Sequence, residues 1–349
     1  MIKHIARGLG FALLLLSVAG AARAEMVRDL YSAEVPVADQ SATELARASR
    51  LALSEVLVKV SGSEEVLRNP AISAALGEAR NRVERYSYSE GPGVPPPLEV
   101  NLRFDSAYIT DLVIGAGAPI WNANRPVVLV WLVIEDAAGR QFANTDTSPA
   151  LVAALRKEFD RRGVPLQLPL YDVADSAALT PDQAWNPEDP ALALASARYN
   201  LQDVVAGRVS LLESGAVAGE WSFRHGEDQL RRPSTAASEE LFLRDGAALV
   251  AEAMAARYAV AASASDGDIT VAVSGVTTYA DYAAVISWLE KLELVDRADI
   301  EAVRGDTITL RLQAKAGAVQ LASLIELNKQ LVPLPAGGPG AQLSYQWQR

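Results

Sequence analysis

Apolar and polar positions divide the chain into three successive blocks, covering residues 25–118, 119–262 and 263–335. In each block, short alternating or fully apolar runs, which are typical of strands, are interspersed with apolar residues at helical spacing. This mixing of strand and helix patterns predicts an α+β or α/β fold built from serial small domains.

The first block contains a long predicted helix. Ser41 and Glu44 form a capping-box pattern, in which both side chains would satisfy free amides at the helix start. Apolar residues then recur at helical spacing until Gly62, which is typical of a helix end. The further elements predicted in this block are strands at 31–37, 86–89 and 98–104, a charged helical stretch at 72–85 and a short helix near 108–113.

The second block opens with Val127 to Ile134, eight consecutive apolar residues. Such a run predicts a strand that is covered on both faces, in the middle of an α/β sheet. A helix is predicted next, with Ser148 as its cap, Pro149 in its first turn and Gly163 as its end. The remaining predicted elements are a strand at 165–170, an acidic loop, a helix near 191–199, a hairpin of 204–211 with 220–223, and a helix at 247–258.

The third block has the order βαββαβ, which predicts a ferredoxin-like unit. Its first helix carries apolar residues at i, i+3, i+4 and i+7, and Arg304-Gly305-Asp306 predicts a hairpin turn. Residues 331–334 are a weak candidate for the last strand. The Gly/Pro-rich segment 336–349 is predicted to be a flexible tail.

Residues 1–24 have the pattern of a secretory signal peptide. Lys3 and Arg7 precede a short apolar run, and Ala22-Arg23-Ala24 supplies a small-x-small cleavage pattern. The apolar run is too short for a membrane-spanning helix, and no second run of sufficient length follows. We therefore expect a mature protein that begins at Glu25 and lies in the periplasm, without an integral membrane span.

Composition narrows the chemistry further. The chain has no cysteine, which excludes disulfides, zinc-thiolate sites and cysteine nucleophiles. Its formal net charge is −11, and removal of the signal would make the balance more negative, which argues against binding to nucleic acid. A local basic patch near Arg224, Arg231 and Arg232 stays possible. The nucleotide-binding, hydrolase and metalloprotease motifs are missing, so no cofactor or catalytic residue is predicted.

Trp121, Asn122, Asn124 and Arg125 form the most informative polar cluster, directly before the predicted buried strand. An aromatic ring, two amides and a guanidinium at a domain junction could converge on a carboxylate or a peptide. Alternatively, Trp121 packs the junction while Arg125 pairs with a neighbouring acid. The residue pattern leaves both interpretations open.

Two further groups are predicted to have no catalytic or metal-binding role. His225 lies in a polar stretch and is interpreted as a solvated turn residue, because the sequence places neither an orienting partner nor a nucleophile nearby. The acidic loop is interpreted as solvated, since its spacing matches no calcium-binding loop. It contains Asp172, Asp175, Asp182, Glu188 and Asp189.

Three segments, 58–62, 122–132 and 255–260, together resemble an uncharacterised periplasmic family, domain of unknown function family 2066. The stretch from Arg125 to Trp131 is the most specific part of this likeness. The resemblance implies a periplasmic protein but no established activity, so no catalytic residue follows from it. The second block is more distantly similar to small α/β domains of envelope accessory proteins.

Three functions remain. We expect a non-catalytic interaction or accessory protein of the cell envelope, with a periplasmic or envelope protein as its partner. The alternative is a periplasmic protein that binds a small molecule or a peptide at the domain junction near Trp121 and Arg125. A hydrolase with a carboxylate pair ranks last, because spacing alone neither identifies nor excludes such a pair.

Overall fold

The computed structural model describes residues 24–91, 96–212, 214–261, 268–327, 330–334 and 340–348. The fold is α+β, as the sequence predicts, with separate sheets in the three blocks and helices packed against them. The predicted signal segment lies outside the described residues except for Ala24. The domain boundaries derived from the sequence stay a prediction, because the blocks also share apolar contacts.

Strand β1 (Ala24–Met26) opens the described chain and pairs outside the first block. The first block contains an antiparallel sheet in which β4 (Leu98–Phe104) lies between β2 (Ser32–Pro36) and β3 (Val83–Glu90), packed against helix α1 (Ala42–Ser61). Its long helix, its three strands and its last helix agree with the predicted positions to within a few residues. The charged stretch at 72–85 is not one helix, because it divides into α2 and a 3₁₀ turn before the chain enters β3. The elements are β2 (Ser32–Pro36), α1 (Ala42–Ser61), a 3₁₀ turn (Glu64–Arg68), α2 (Pro70–Gly77), a 3₁₀ turn (Ala79–Arg82), β3 (Val83–Glu90), β4 (Leu98–Phe104) and α3 (Ser106–Gly115).

The two ends of α1 follow from local chemistry. The Ser41 hydroxyl accepts a hydrogen bond from the Glu44 amide at 3.2 Å, as the capping box requires. The other half of the box is not formed, because the Glu44 carboxylate accepts from the amide of Ala38 instead. Gly62 ends the helix with a φ of 81°, and a side chain there would collide with Ala255.

The second block is an α/β/α sandwich around a sheet in the order β11-β10-β9-β6-β7, with β8 also beside β6. Strand β6 is buried on both faces and runs parallel to β9, as its uninterrupted apolar run predicts. The hairpin partner β11 and the edge strand β7 have polar sequences and are not predicted. The elements are β6 (Val128–Asp136), β7 (Gly139–Phe142), α4 (Pro149–Arg161), β8 (Leu166–Gln167), α5 (Val173–Ala178), α6 (Pro181–Ala184), α7 (Pro190–Ala197), β9 (Asp203–Leu211), β10 (Val217–His225), β11 (Asp228–Ala236) and α8 (Glu239–Tyr258).

Helices α4 and α8 cover one face of this sheet, where Trp221 and Phe242 stack within the apolar core. The short helices α5, α6 and α7 cover part of the other face, around Trp131. The indole of Trp131 donates to Ser196 of α7 at 3.0 Å, which fixes α7 over the sheet.

The third block contains the predicted βαββα order, but its sheet departs from the ferredoxin arrangement. Strand order is β13-β14-β12-β16-β15, so a strand from the predicted flexible tail occupies the place next to β12. This strand runs parallel to β12 and antiparallel to β15. The elements are β12 (Ile269–Ser274), α9 (Tyr279–Leu289), β13 (Val295–Arg304), β14 (Thr307–Ala314), α10 (Ala318–Glu326), β15 (Leu331–Pro333) and β16 (Leu343–Trp347).

The tail prediction is therefore wrong for residues 343–347. Tyr345 and Trp347 are buried in the core of this sheet. Burial of these two aromatic side chains stabilises the segment in its strand conformation. The Gly/Pro content that suggested flexibility is concentrated in residues 335–340, of which 335–339 lie outside the described residues.

A two-stranded sheet joins the start of the described chain to the second block. It pairs β1 (Ala24–Met26) with β5 (Asn124–Pro126), and Glu25 lies opposite Arg125. The third block contacts the first through Leu294, Ala316 and Leu324, which belong to the same apolar cluster as α1. The residues 121–125 thus lie where all three blocks meet.

Candidate functional site

The junction cluster, Trp121, Asn122, Asn124 and Arg125, is held in place by backbone pairing on both sides. Ile120 exchanges two hydrogen bonds of 2.8 Å with Val260, which follows α8. The Trp121 amide donates to the carbonyl of Val60 in the last turn of α1 at 2.7 Å. The cluster therefore lies between the C-terminal ends of α1 and α8.

The guanidinium of Arg125 is fully buried and donates five hydrogen bonds, all to backbone carbonyls. The shortest of these bonds are 2.8 Å. Its acceptors are the carbonyls of Asn122, Gly163, Arg162, Lys59 and Trp121. Three of these carbonyls belong to the last turn of α1 or to the residues directly after α4, where helix carbonyls lack intrahelical partners. Arg125 thus satisfies the ends of two helices from different blocks.

Electrostatics agree with this role. The C-terminal ends of helices carry partial negative charge, which favours a cation at this position. Burial lowers the pKa of Arg125 to about 9, and the nearby Glu293 and Tyr31 oppose that shift. Gly163, with a φ of 64°, leaves room for the guanidinium, because a Cβ there would lie 2.6 Å from Nη1 of Arg125.

The other three members of the junction cluster are also buried. The Trp121 ring lies under the guanidinium, with 3.7 Å from Cζ of Arg125 to the ring centroid. Asn122 accepts a bond from the amide of Asn124 at 3.1 Å. Among the described residues, three donors of the cluster lack a hydrogen-bond partner: the indole N–H of Trp121 and the side-chain amide nitrogens of Asn122 and Asn124. The cluster offers no exposed surface to a ligand, so its geometry favours the structural interpretation.

The third block reaches this junction through Glu293. One carboxylate oxygen of Glu293 accepts the amide of Ala123 at 3.1 Å. Burial raises the pKa of Glu293, while this backbone bond and Arg125 lower it. The acid expected beside Arg125 is therefore present, but the guanidinium itself binds carbonyls.

A groove that the sequence does not predict lies between α7 and the central sheet. We call it the α7 groove; its volume is about 420 Å³, within the roughly 300 to 1,000 Å³ of ligand pockets. Its wall is one side of α7, its floor is the ends of β9 and β10, and its rim includes His225. The lining residues are Pro187, Leu192, Ala193, Ser196, Ala197, Leu201, Gln202, Val204, Ala206, Ser222, Arg224, His225 and Gly226.

Loop 185–189 crosses the same face of the sheet and is held by arginines from three adjacent strands. Arg208 of β9 donates to the carbonyl of Trp185 at 3.2 Å. Arg224 of β10 donates to the carbonyl of Pro187 at 2.9 Å. Arg231 of β11 pairs with the Glu188 carboxylate at 2.7 Å. Two members of the basic patch considered from sequence thus bind this loop, and Arg232 pairs with Glu252 at 2.8 Å.

His225 is not the solvated turn residue expected from sequence. It is the last residue of β10, its side chain is 17% exposed, and its Nδ1 lies 2.7 Å from Oδ1 of Asp203. Burial raises the pKa of Asp203, whereas the bond to His225 lowers it. The His225 ring contacts Tyr258 of α8, so it faces away from Ser222, which lies an odd number of residues earlier on the strand. The histidine has an orienting partner, but strand alternation separates it from this hydroxyl.

The predicted acidic loop is largely ordered by its own acids. Asp172 and Asp175 both pair with Arg198, at 2.7 and 2.8 Å, and they also order the start of α5. Asp189 caps α7, and Asp182 pairs with Arg140. The interpretation as a solvated loop fits Asp182 and Glu188, whose side chains are 80% and 68% exposed, but not Asp175, which is 2% exposed and paired with Arg198. Among the residues that the structure describes, no group of acids and histidines is arranged to hold a metal ion.

The sequence identifies the junction cluster but not its geometry, and it misses the α7 groove. Small residues at 193 and 197 on α7, four apart, are a signal for an open helix face. The arginines on β9, β10 and β11 share a face only through strand register, which the polar sequence of β11 does not reveal.

One family model matches part of the chain. A family model described as a domain of unknown function (DUF8605) matches residues 24–122. An uncharacterised family is thus supported, but the matching family is not the one that the three sequence segments resemble. None of the curated proteins matches the chain.

A crystal structure of an uncharacterised protein is 14% identical to this chain, covers 38% of it and 90% of its own chain, and has a TM-score of 0.17. In the described part of the chain, every helix is too short or too polar to cross a bilayer.

Proposed function

We propose that this chain is a non-catalytic interaction protein of the cell envelope that binds its partner at the α7 groove. The N-terminal pattern of a secretory signal supports a periplasmic location. The observation that carries the proposal is the groove itself, in which apolar side chains of α7 and β9 and a few polar groups of β10 line a concave surface.

The state of the other polar groups also supports a non-catalytic role. Arg125 is committed to backbone carbonyls, the acids of the 172–189 region bind arginines or cap helices, and Asp203 binds His225. These contacts stabilise the fold. A binding role for the junction cluster would require the junction to open, since Arg125 connects both ends of that interface.

The proposal is tested by filling the groove without disturbing the core. Ala197 is an exposed residue at the end of α7 that lines the groove, so Ala197→Trp introduces an indole into it. Leu194 is 74% exposed on the same helix and does not line the groove, so Leu194→Trp is the matched control.

Tagged mature protein and both variants are used for affinity capture from periplasmic extract, with bound proteins identified by mass spectrometry. We expect the same partner with the wild type and Leu194→Trp, and its loss with Ala197→Trp at unchanged thermal stability. Equal recovery by all three proteins would exclude the α7 groove as the contact.

A further inference from the structure

The α7 groove has an apolar body and a polar end. Leu192, Val204 and Ala206 contribute to the apolar part, together with the methyl groups of Ala193 and Ala197. The polar end is formed by β10, where Ser222 and Arg224 share one face of the strand. A ligand that fits both parts has an apolar portion and one polar terminus.

Arg224 makes this end electropositive. Its Nη2 donates to the carbonyl of Pro187 at 2.9 Å, and no carboxylate in the described residues lies within ion-pair distance of it. The two neighbouring arginines, in contrast, are paired with carboxylates: Arg208 lies 3.5 Å from Glu220, and Arg231 lies 2.7 Å from Glu188. The charge of Arg224 therefore remains available to an anion, and its Nε and Nη1 hydrogens remain available as donors.

Ser222 provides a further donor next to Arg224. Its oxygen accepts a hydrogen bond from the side-chain amide of Gln229 at 2.8 Å. The hydroxyl hydrogen is then free to donate in another direction. A guanidinium and a hydroxyl on the same strand face are a suitable donor set for a planar carboxylate.

We propose that the α7 groove binds the terminal carboxylate of an apolar molecule, with the carboxylate at Arg224 and Ser222 and the apolar portion against α7. The ligand is either a free apolar acid or the C-terminal residue of a polypeptide, which share this chemistry. This inference rests on the proposed function, because it names the ligand class of the same groove.

The test compares matched probes by calorimetry on the mature protein. Hexanoate and 1-hexanol differ in the carboxylate, and a short peptide ending in leucine is used with a free carboxylate and as its amide. Charge-assisted hydrogen bonds predict that each acid binds at least about tenfold more tightly than its neutral counterpart. The indole resonance of Trp131, which donates to Ser196 in the groove wall, reports binding at this site by NMR.

Arg224→Gln should abolish the preference for the acids. Arg231→Gln is the matched control, because Arg231 holds the same 185–189 loop from the next strand but does not line the groove. This control should keep the preference. Circular dichroism and thermal unfolding establish that both variants are folded.

If the peptide with a free carboxylate binds more tightly than hexanoate, the natural ligand is a polypeptide C-terminus. If hexanoate binds more tightly, the ligand is a free acid. Both results support the proposal. It is overturned if acids and neutral probes bind equally, if no probe binds, if Arg224→Gln keeps the preference, or if Arg231→Gln loses it as well. Partner capture that is sensitive to Ala197→Trp would survive each of these failures, so the two proposals are separable.

Discussion

Removal of the Arg125 side chain is the sharpest test of the junction. Arg125→Ala leaves five buried carbonyls without the donor that now satisfies them. At about 1 kcal/mol for each carbonyl, the free energy of unfolding should fall by roughly 5 kcal/mol. This loss is comparable with the total stability of many small domains.

Two variants calibrate this value. Arg125→Lys keeps the charge but has at most three donors on a single nitrogen, so we expect about half of the loss. Arg50→Ala removes an exposed arginine from α1, and its effect should stay within roughly 0.5 kcal/mol. The measurement is urea unfolding, followed by tryptophan fluorescence and circular dichroism, with the midpoint and the slope fitted together.

The structural interpretation of Arg125 predicts that stability and any partner binding fall together. It is refuted if Arg125→Ala loses less than about 1 kcal/mol while partner binding disappears, because that result would assign the guanidinium to recognition. An unchanged midpoint together with unchanged binding would remove the junction cluster from consideration as a site.

Three further predictions concern other parts of the fold. Trp131→Ala removes a buried indole, so it should cost about 3 to 5 kcal/mol in urea unfolding, and a loss below about 1 kcal/mol would contradict its place in the core. Burial lowers the pKa of Lys59 to about 8, below its value in the unfolded chain, so the unfolded state binds more protons between about pH 8 and 10.5 and stability should rise with pH in that window. Lys59→Met should flatten this rise, as measured by unfolding at several pH values; an equal slope in both proteins would contradict it. A fragment that starts at Ser265 should unfold cooperatively when it ends at Gln348 but not when it ends at Ala336, because only the longer one contains β16; identical calorimetric transitions would refute this.

Elements with strong local signals could be predicted from sequence. Strand β6 has an uninterrupted apolar run, and α1 combines an N-cap, a helical apolar stripe and a terminal glycine, so short-range preferences agree with the tertiary fold at both places. Strand β11 has alternating exposed polar residues and a proline, which fit an edge strand only once β10 is present beside it. The strand conformation of β11 therefore depends on its pairing with β10 rather than on its own sequence.

The site was predictable to a similar degree. The types of residue at 121–125 mark an unusual polar segment, and in the structure this segment lies between the C-terminal ends of α1 and α8. The partners of Arg125 are backbone carbonyls, and a carbonyl is present at every residue, so no residue pattern could identify them. The α7 groove depends on which face of β10 remains uncovered, and this is determined by how far the short helices α5 to α7 extend over the sheet.

The position of β16 in the third sheet has a consequence for biogenesis. Strand β12 is synthesised before all the other elements of the third sheet, and its neighbour Leu343–Trp347 is synthesised last of them. While the chain is still being synthesised, one edge of β12 is open and available to foreign strands. The third sheet therefore closes only after residue 347 has emerged, and a holding chaperone that shields the open edge of β12 would act during this interval.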